Sequence, residues 1–161
     1  MNRTTKTEHW RPEGSLGALI TLTSLKMRQR AKNDLAKMGL GHISVARFWV
    51  MHELDESPRN QATLCKRLKQ SAPSMMEMLE RLRVDGLVKF TAEASDPRKK
   101  RWDLTPRGRK DYLKARETLR DIGRGFDKIF QENEISDLEV DRFKQILQLL
   151  NDDFFREEQR V

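Results

Sequence analysis

Apolar residues recur at helical spacing over the first part of the chain. Across residues 14–38 they fall every three or four positions with basic residues among them, which predicts a long amphipathic helix. Gly39 follows and suits the left-handed conformation in which many helices end. Ser44 is a suitable N-cap for a second helix over residues 45–54.

Two shorter periodic segments come next, and a tight turn separates them. Residues 61–69 place Leu64, Cys65 and Leu68 on one face. After the turn Ser71-Ala72-Pro73, residues 72–84 show the i, i+3, i+4, i+7 stripe of a core helix, formed by Met75, Met78, Leu79 and Leu82. Two helices joined in this way predict a helix-turn-helix.

Residues that favour β-structure then predict a hairpin. Residues 87–91 and 101–104 form the two expected strands, and between them lies a polar tip with the run Asp96-Pro97-Arg98-Lys99-Lys100-Arg101. A basic hairpin after a helix-turn-helix is typical of a winged DNA-binding domain. Thr105 and Ser136 are suitable N-caps for two further helices, which extend to about Ile129 and Phe155.

The predicted fold is mainly α with a small β-hairpin wing: a winged helix-turn-helix plus a helical dimerisation region. We expect an N-terminal arm and dimerisation helix in residues 1–43, the DNA-binding lobe in 44–110 and C-terminal dimerisation helices in 111–161. The long outer helices carry apolar stripes that a second copy of the chain would cover. The expected dimer interface consists of Leu16, Ile20, Leu138, Phe143, Ile146, Leu147 and Leu150.

Charge is divided unevenly along the chain. The formal net charge is +7, but residues 1–125 hold 27 Lys+Arg against 15 Asp+Glu, whereas residues 126–161 hold 5 against 10. The basic part favours a polyanionic partner such as DNA. No apolar run approaches about 18 residues and no signal-peptide pattern opens the chain, so we expect a cytoplasmic protein without a membrane partner.

The DNA contacts expected on the helix-turn-helix are of two kinds. The start of the second helix would contact base edges in the major groove through Ser71, Pro73, Ser74, Met76 and Glu77. The DNA phosphates would be bound by the basic side chains of Lys66, Arg67, Lys69 and Arg81. The plainer alternatives are an ordinary helical hairpin and simple solvation of these basic residues. For Glu77 an ion pair with Arg81 is favoured over a contact with a cytosine amino group.

The wing carries the second set of expected DNA contacts. An arginine at the tip, Arg98, would enter the minor groove, where the negative potential is enhanced. Lys99, Lys100 and Arg101 would bind phosphates, and Asp96 would anchor the tip through an ion pair or a turn hydrogen bond. The alternative is a solvated charged turn, as most short charge runs are.

Motifs of catalysis and metal binding are absent from the sequence. His9, His42 and His52 are too scattered for a zinc spacing, and the single cysteine, Cys65, is expected to pack in the core rather than to sense redox state. There is no glycine-rich phosphate loop and no Gly-x-Ser-x-Gly elbow. We therefore expect neither an enzyme nor a cofactor.

These residues resemble the MarR family of bacterial winged-helix transcription regulators over about residues 14–155. The similarity is densest in QATLCKRL (61–68), LERLRVDGLV (79–88), Asp96-x-Arg98 and Leu104-Thr105-x-x-Gly108. The resemblance implies a triangular homodimer that dimerises through its first, fifth and sixth helices and binds a pseudo-palindromic operator. Arg98 and Asp96 match the family's wing arginine and wing aspartate. Many members are repressors that small phenolic or other anionic ligands release from DNA.

The resemblance also implies an effector site where the dimerisation helices meet the DNA-binding lobe. In this chain that junction would include Met27, His42, Phe48, Trp49 and His52, and the alternative is that these side chains fill the core or the interface. Thiol sensing on the family's pattern is disfavoured because Ser15 stands where peroxide-sensing members have cysteine, and a zinc-sensing histidine pair is absent from the fifth helix. Two rival functions are a winged-helix adaptor for a protein partner and the dimerisation module of a transferase.

Overall fold

The computed structural model describes residues 14–93 and 96–157, with side chains given except at 93, 96–99 and 153–157. The elements in chain order are α1 (Leu16–Lys37), α2 (Val45–Glu56), β1 (Arg59–Asn60), α3 (Gln61–Leu68), α4 (Ala72–Val84), β2 (Val88–Glu93), β3 (Asp96–Leu104), α5 (Pro106–Glu132) and α6 (Asp137–Glu157). The predicted helices, the helix-turn-helix and the wing are thus confirmed. None of the helices in the described ranges is long and apolar enough to cross a membrane.

Each helix begins at a residue whose side chain can accept a hydrogen bond from the first turn. The predicted N-caps Ser44 and Thr105, together with Ser71 before α4, have extended backbones and accept from the backbone N–H three residues later. At the start of α6, Ser136 Oγ accepts from the Glu139 N–H, and the Glu139 carboxylate accepts from the Ser136 N–H at 2.9 Å. This reciprocal pair is a capping box.

Four of the described helices are followed by a residue in the left-handed conformation, and one of these residues is Glu134 after α5 (φ 56°). Gly39 after α1 (φ 75°) and Gly86 after α4 (φ 71°) adopt it without steric cost. Lys69 after α3 also adopts it (φ 52°), although it carries a side chain. A non-glycine residue in this region is strained by roughly 1–2 kcal/mol.

The wing is longer than predicted and belongs to a three-stranded antiparallel sheet. The strand order is β1-β3-β2, with Arg59 opposite Trp102 and Phe90 also opposite Trp102. The sequence placed residues 96–101 at the hairpin tip, which was wrong because β3 already begins at Asp96. β3 pairs with β2 at Arg101 and Lys100 and again at Asp96, and the register shift between these pairs leaves residues 97–99 as a bulge.

The hydrophobic core lies where the end of α1, α2, α4, the sheet and the first half of α5 meet. Its largest fully buried side chains include Trp102, Tyr112, Met51 and Met75. Met75, Leu79 and Leu82 of the predicted α4 stripe are fully buried, and Met78 is half-buried against the same core. Cys65 is half-buried and packs against this core, as expected.

The motif Leu104-Thr105-x-x-Gly108 joins the sheet to α5 by close backbone contact. The Thr105 hydroxyl donates to the Gly86 carbonyl at 2.7 Å and accepts from the Gly108 N–H at 2.9 Å, and the Thr105 N–H donates to the Leu87 carbonyl at 3.0 Å. A Cβ on Gly108 would lie 1.8 Å from the Leu87 oxygen. Only glycine therefore fits at the position where α5 crosses the start of the wing.

Candidate nucleic-acid interface

The turn of the helix-turn-helix is held by hydrogen bonds from both of its helices. Gln61 at the start of α3 donates from Nε2 to the Ala72 carbonyl at 2.7 Å, which ties the beginnings of α3 and α4 together. Ser71 caps α4, and its hydroxyl donates to the Ser74 hydroxyl at 3.0 Å. With Lys69 in the left-handed conformation, these contacts fix the angle at which α4 leaves the turn.

The first turn of α4 presents most of the side chains predicted to reach bases. Ser71, Pro73, Ser74 and Glu77 are exposed. Met76 was also predicted to be exposed, which was wrong: it is half-buried and packs against the core. The buried face of a core helix is wider than the i, i+3, i+4, i+7 stripe alone, and Met76 lies at the edge of that face.

Charge on the outer face of α4 is partly neutralised within the helix. Glu77 forms an ion pair with Arg81 four residues later, which confirms the favoured prediction for this carboxylate. Arg83 pairs with Glu80 in the same way at 2.7 Å. Such exposed pairs contribute only about 0.3–0.5 kcal/mol, so an approaching phosphate can compete for Arg81.

The basic residues of α3 fall into two groups. Lys66 and Lys69 are exposed and stay predicted phosphate contacts. Arg67 instead forms an ion pair with the carboxylate of Glu53, which raises the pKa of the guanidinium by hydrogen bonding and by direct charge attraction. Glu53, at the end of α2, is only 8% exposed.

Two of the four basic wing residues have contacts that the sequence did not predict. The Lys100 ammonium lies 4.4 Å from the centre of the Phe90 ring, and the Arg101 guanidinium donates to the Pro58 carbonyl at 2.9 Å. Arg101 therefore attaches the wing to the segment before α3 instead of standing at the tip. The side chains of Asp96, Arg98 and Lys99 lie outside the described part, so their roles stay predictions.

An aromatic cluster occupies the junction of α2 and α5. His52 Nδ1 lies 2.8 Å from the Tyr112 hydroxyl oxygen, the Phe48 ring stacks on Tyr112 at 5.5 Å, and Trp49 meets His52 edge-on at 5.5 Å. Burial raises the pKa of Tyr112. Phe48 and Tyr112 are buried, whereas Trp49 is 49% exposed.

A cavity of about 560 Å³ opens beside Trp49, between α1 and the DNA-binding lobe. Arg28 and Lys32 of α1 lie on one side of it, and on the other are apolar side chains of the lobe, including Val50, Leu68 and Met78. Of the predicted effector residues, Trp49 alone lines this cavity. Phe48 and His52 are engaged with Tyr112, and His42 Nε2 lies 3.4 Å from Asp111, while Met27 is 40% exposed outside the cavity lining.

The fold and this surface define the class: the described part of the chain is a winged helix-turn-helix domain with long flanking helices. No protein-family model and no curated protein matches the sequence. Among solved structures, a probable transcriptional regulator from Pseudomonas aeruginosa matches with a TM-score of 0.73 and 21% identity, over 87% of this chain and 99% of that one. The chain has the winged-helix fold of MarR-family transcription regulators.

Two similar structures contain DNA. The transcriptional repressor CouR, bound to a 23-mer duplex, matches over 85% of this chain and 90% of its own with 25% identity and a TM-score of 0.66. A cysteine-to-serine mutant of MarR from E. coli complexed with operator DNA covers 84% of this chain and 92% of its own, at 21% identity and a TM-score of 0.69.

β1 and the residues around it carry little signal in the sequence. A two-residue strand has no periodicity, so Arg59 and Asn60 gave no strand signal. Asn60 before a helical segment is a recognisable N-cap, and it accepts from the Thr63 N–H at 2.8 Å. The cavity residues Arg28 and Lys32 gave no comparable signal, because they become neighbours of Leu68 only through folding.

Proposed function

We propose that this protein is a sequence-specific DNA-binding transcription regulator, not an enzyme. The observation that carries the proposal is the start of α4, where a hydrogen-bonded turn presents a run of small exposed side chains, Ser71, Pro73 and Ser74, beside the exposed cations of α3. This is the geometry with which a recognition helix enters the major groove. The DNA complexes of CouR and MarR with the same fold support the assignment.

The active form in this proposal is a homodimer. The N-terminal half of α1 and much of α6 expose large apolar side chains within one protomer, for example Leu16 at 57%, Leu138 at 80% and Phe143 at 47%. Exposed apolar area of this extent is characteristic of an interface. A two-fold dimer would present two α4 helices to half-sites about one helical turn apart.

The proposed regulator is a repressor released by an amphipathic anion. The cavity beside Trp49 offers an aromatic wall and an apolar lining, and Arg28 and Lys32 at its α1 side supply two cations for a carboxylate. A ligand there would contact both α1 and the lobe, so it could change the separation of the two recognition helices. CouR from Rhodococcus jostii RHA1 has been crystallised with p-coumaroyl-CoA, which supports a ligand of this class.

DNA binding is tested by selecting sites from a randomised duplex library with the purified full-length protein. We expect enrichment of a pseudo-palindrome, and affinity that falls steeply with salt because on the order of 6–10 phosphates are neutralised. On the selected site Arg98→Ala should cost about 1–3 kcal/mol, whereas Lys99→Ala should weaken binding to selected and random duplexes alike. No enrichment, with affinity nearly independent of salt, would favour the adaptor for a protein partner.

The effector is tested with salicylate and p-coumaroyl-CoA as probes, following tryptophan fluorescence and release of the selected duplex. We expect a response that is lost in Trp49→Phe and weakened at least tenfold when Arg28 and Lys32 are both replaced by alanine. His52→Ala is the matched variant, since His52 lies in the aromatic cluster and not in the cavity. A response abolished by His52→Ala but retained without the two cations would place the ligand in the aromatic cluster instead.

A further inference from the structure

The last turn of α2 carries an unusual concentration of negative charge. Glu53, Asp55 and Glu56 lie there with no basic residue among them. The C-terminal end of a helix has a partial negative charge, so carboxylates at this position are unfavourable in isolation. The surrounding elements compensate, because each of the three carboxylates pairs with an arginine from another part of the fold.

Glu53 is at the centre of this arrangement. Its carboxylate lies 3.1 Å from Arg59 Nε and makes a closer ion pair with Arg67 Nε, and the same two arginines also reach Glu56, Arg67 at 3.5 Å. The Arg59 Nε–H additionally donates to the Glu53 backbone carbonyl at 2.9 Å. We call Glu53, Glu56, Arg59 and Arg67 the Glu53 cluster.

The Glu53 cluster lies where α2, α3 and the strand that pairs with the wing meet. Arg59 lies in β1 between two other attachments: the Pro58 carbonyl accepts a hydrogen bond from Arg101 of the wing, and the Asn60 side chain caps α3. β1 itself pairs with β3, with Asn60 opposite Arg101. Arg67 lies on α3, the first helix of the helix-turn-helix. The cluster therefore connects α2, α3 and the wing through residues that are far apart in sequence.

We propose that the Glu53 cluster positions the wing relative to the helix-turn-helix, so that Glu53, Arg59 and Arg67 determine DNA selectivity without touching DNA. The proposal rests on the DNA-binding function proposed above. It assigns Arg67 a role different from that of Lys66, its neighbour on α3. Both side chains are exposed, but the Arg67 guanidinium is paired with the buried carboxylate of Glu53 and so orients α3, whereas Lys66 is available to a phosphate.

The first test compares Arg67→Ala with Lys66→Ala on two probes, the selected duplex and a random-sequence duplex of the same length. A phosphate contact contributes about 0.9 to the slope of log affinity against log salt for each protomer. We expect Lys66→Ala to reduce that slope by about 1.8 on both duplexes, because both protomers of the dimer lose the contact. Arg67→Ala should leave the slope unchanged but lower the ratio of selected to random affinity at least fivefold. A slope reduced by Arg67→Ala, with the affinity ratio unchanged, would make Arg67 a phosphate contact and overturn the proposal.

The second test releases Arg67 by replacing Glu53 with glutamine. Glu53→Gln should increase the slope on random DNA, because the freed guanidinium can now reach a phosphate, and it should lower selectivity. Adding Arg67→Ala should remove the increase in slope. Glu117→Gln breaks an exposed pair with Arg120 on α5 and makes the same change in net charge. It should change neither the slope on random DNA nor the selectivity.

The outcomes separate the two proposals. Equal slopes for Glu53→Gln, Glu117→Gln and the unmodified protein, with equal selectivity, would overturn the positioning role and leave DNA binding intact. If the unmodified protein binds neither duplex, the DNA-binding function fails and the positioning role fails with it. Should Glu53→Gln not fold, the comparison of Arg67→Ala with Lys66→Ala still decides the question.

Discussion

Replacing Gly108 with alanine should be one of the most damaging single-methyl changes in this protein. The added Cβ would lie 1.8 Å from the Leu87 oxygen and 2.8 Å from the Leu87 carbonyl carbon. Both atoms belong to the backbone, and the same carbonyl accepts the Thr105 N–H at 3.0 Å. The clash cannot be relieved by rotating a side chain, so α5 must move away from the start of β2.

The cost can be estimated from the contacts that this movement disturbs. Overpacking a tight site costs about 1–3 kcal/mol. Disturbing the Thr105 cap adds about 1 kcal/mol, and weakening the Thr105–Leu87 hydrogen bond adds about 1 kcal/mol. Alanine recovers about 1 kcal/mol of helix propensity. The net loss in the free energy of unfolding is therefore about 3 kcal/mol, which corresponds to a fall in Tm of roughly 6–12 °C for a chain of this size.

Gly123→Ala is the matched control because it makes the same substitution in the same helix. Apart from its own stretch of α5, no atom of the described residues lies within 4 Å of the position that its Cβ would take. Alanine there should stabilise the protein by about 0.5–1 kcal/mol. Thermal unfolding of all three proteins at one concentration compares them, since dimer stability depends on concentration. A fall in Tm of less than about 2 °C for Gly108→Ala would refute the close approach of α5 to Leu87.

Three further changes test other features. Lys69→Gly should raise stability by about 1 kcal/mol in chemical denaturation by relieving the left-handed strain, whereas Lys66→Gly inside α3 should lower it by a similar amount. Leu147→Asp should weaken dimerisation and DNA binding together, because burying an unpaired carboxylate costs several kcal/mol; sedimentation showing an intact dimer would contradict the interface. The pKa of Glu139 is lowered by its hydrogen bonds from Ser136, so the capping box stabilises α6 at neutral pH and loses that contribution as the pH falls through the lowered value. Glu139→Gln should reduce this acid dependence of unfolding, and an unchanged pH profile would contradict it.

The sequence by itself determined the elements whose signals are local. α4 begins at Ala72 and ends at Val84, as predicted, because its cap is made by Ser71 to the Ser74 N–H and its buried stripe repeats every three or four residues. The Glu77–Arg81 pair was predictable for the same reason, since both members lie on one helix four residues apart. Hydrogen bonds and ion pairs of this short range depend only on nearby residues, so their pattern is present in the chain itself.

The tertiary structure decided the features that depend on contacts between distant residues. Arg67 looks like any other basic residue of α3 in the sequence, and only folding brings it against Glu53, 14 positions earlier. β1 exists because β3 supplies a pairing partner, and the cavity exists because α1 passes beside Leu68 and Met78. Burial and ion pairing are set by which surfaces meet in space, and no local pattern records whether a charged side chain will face DNA, solvent or a buried carboxylate.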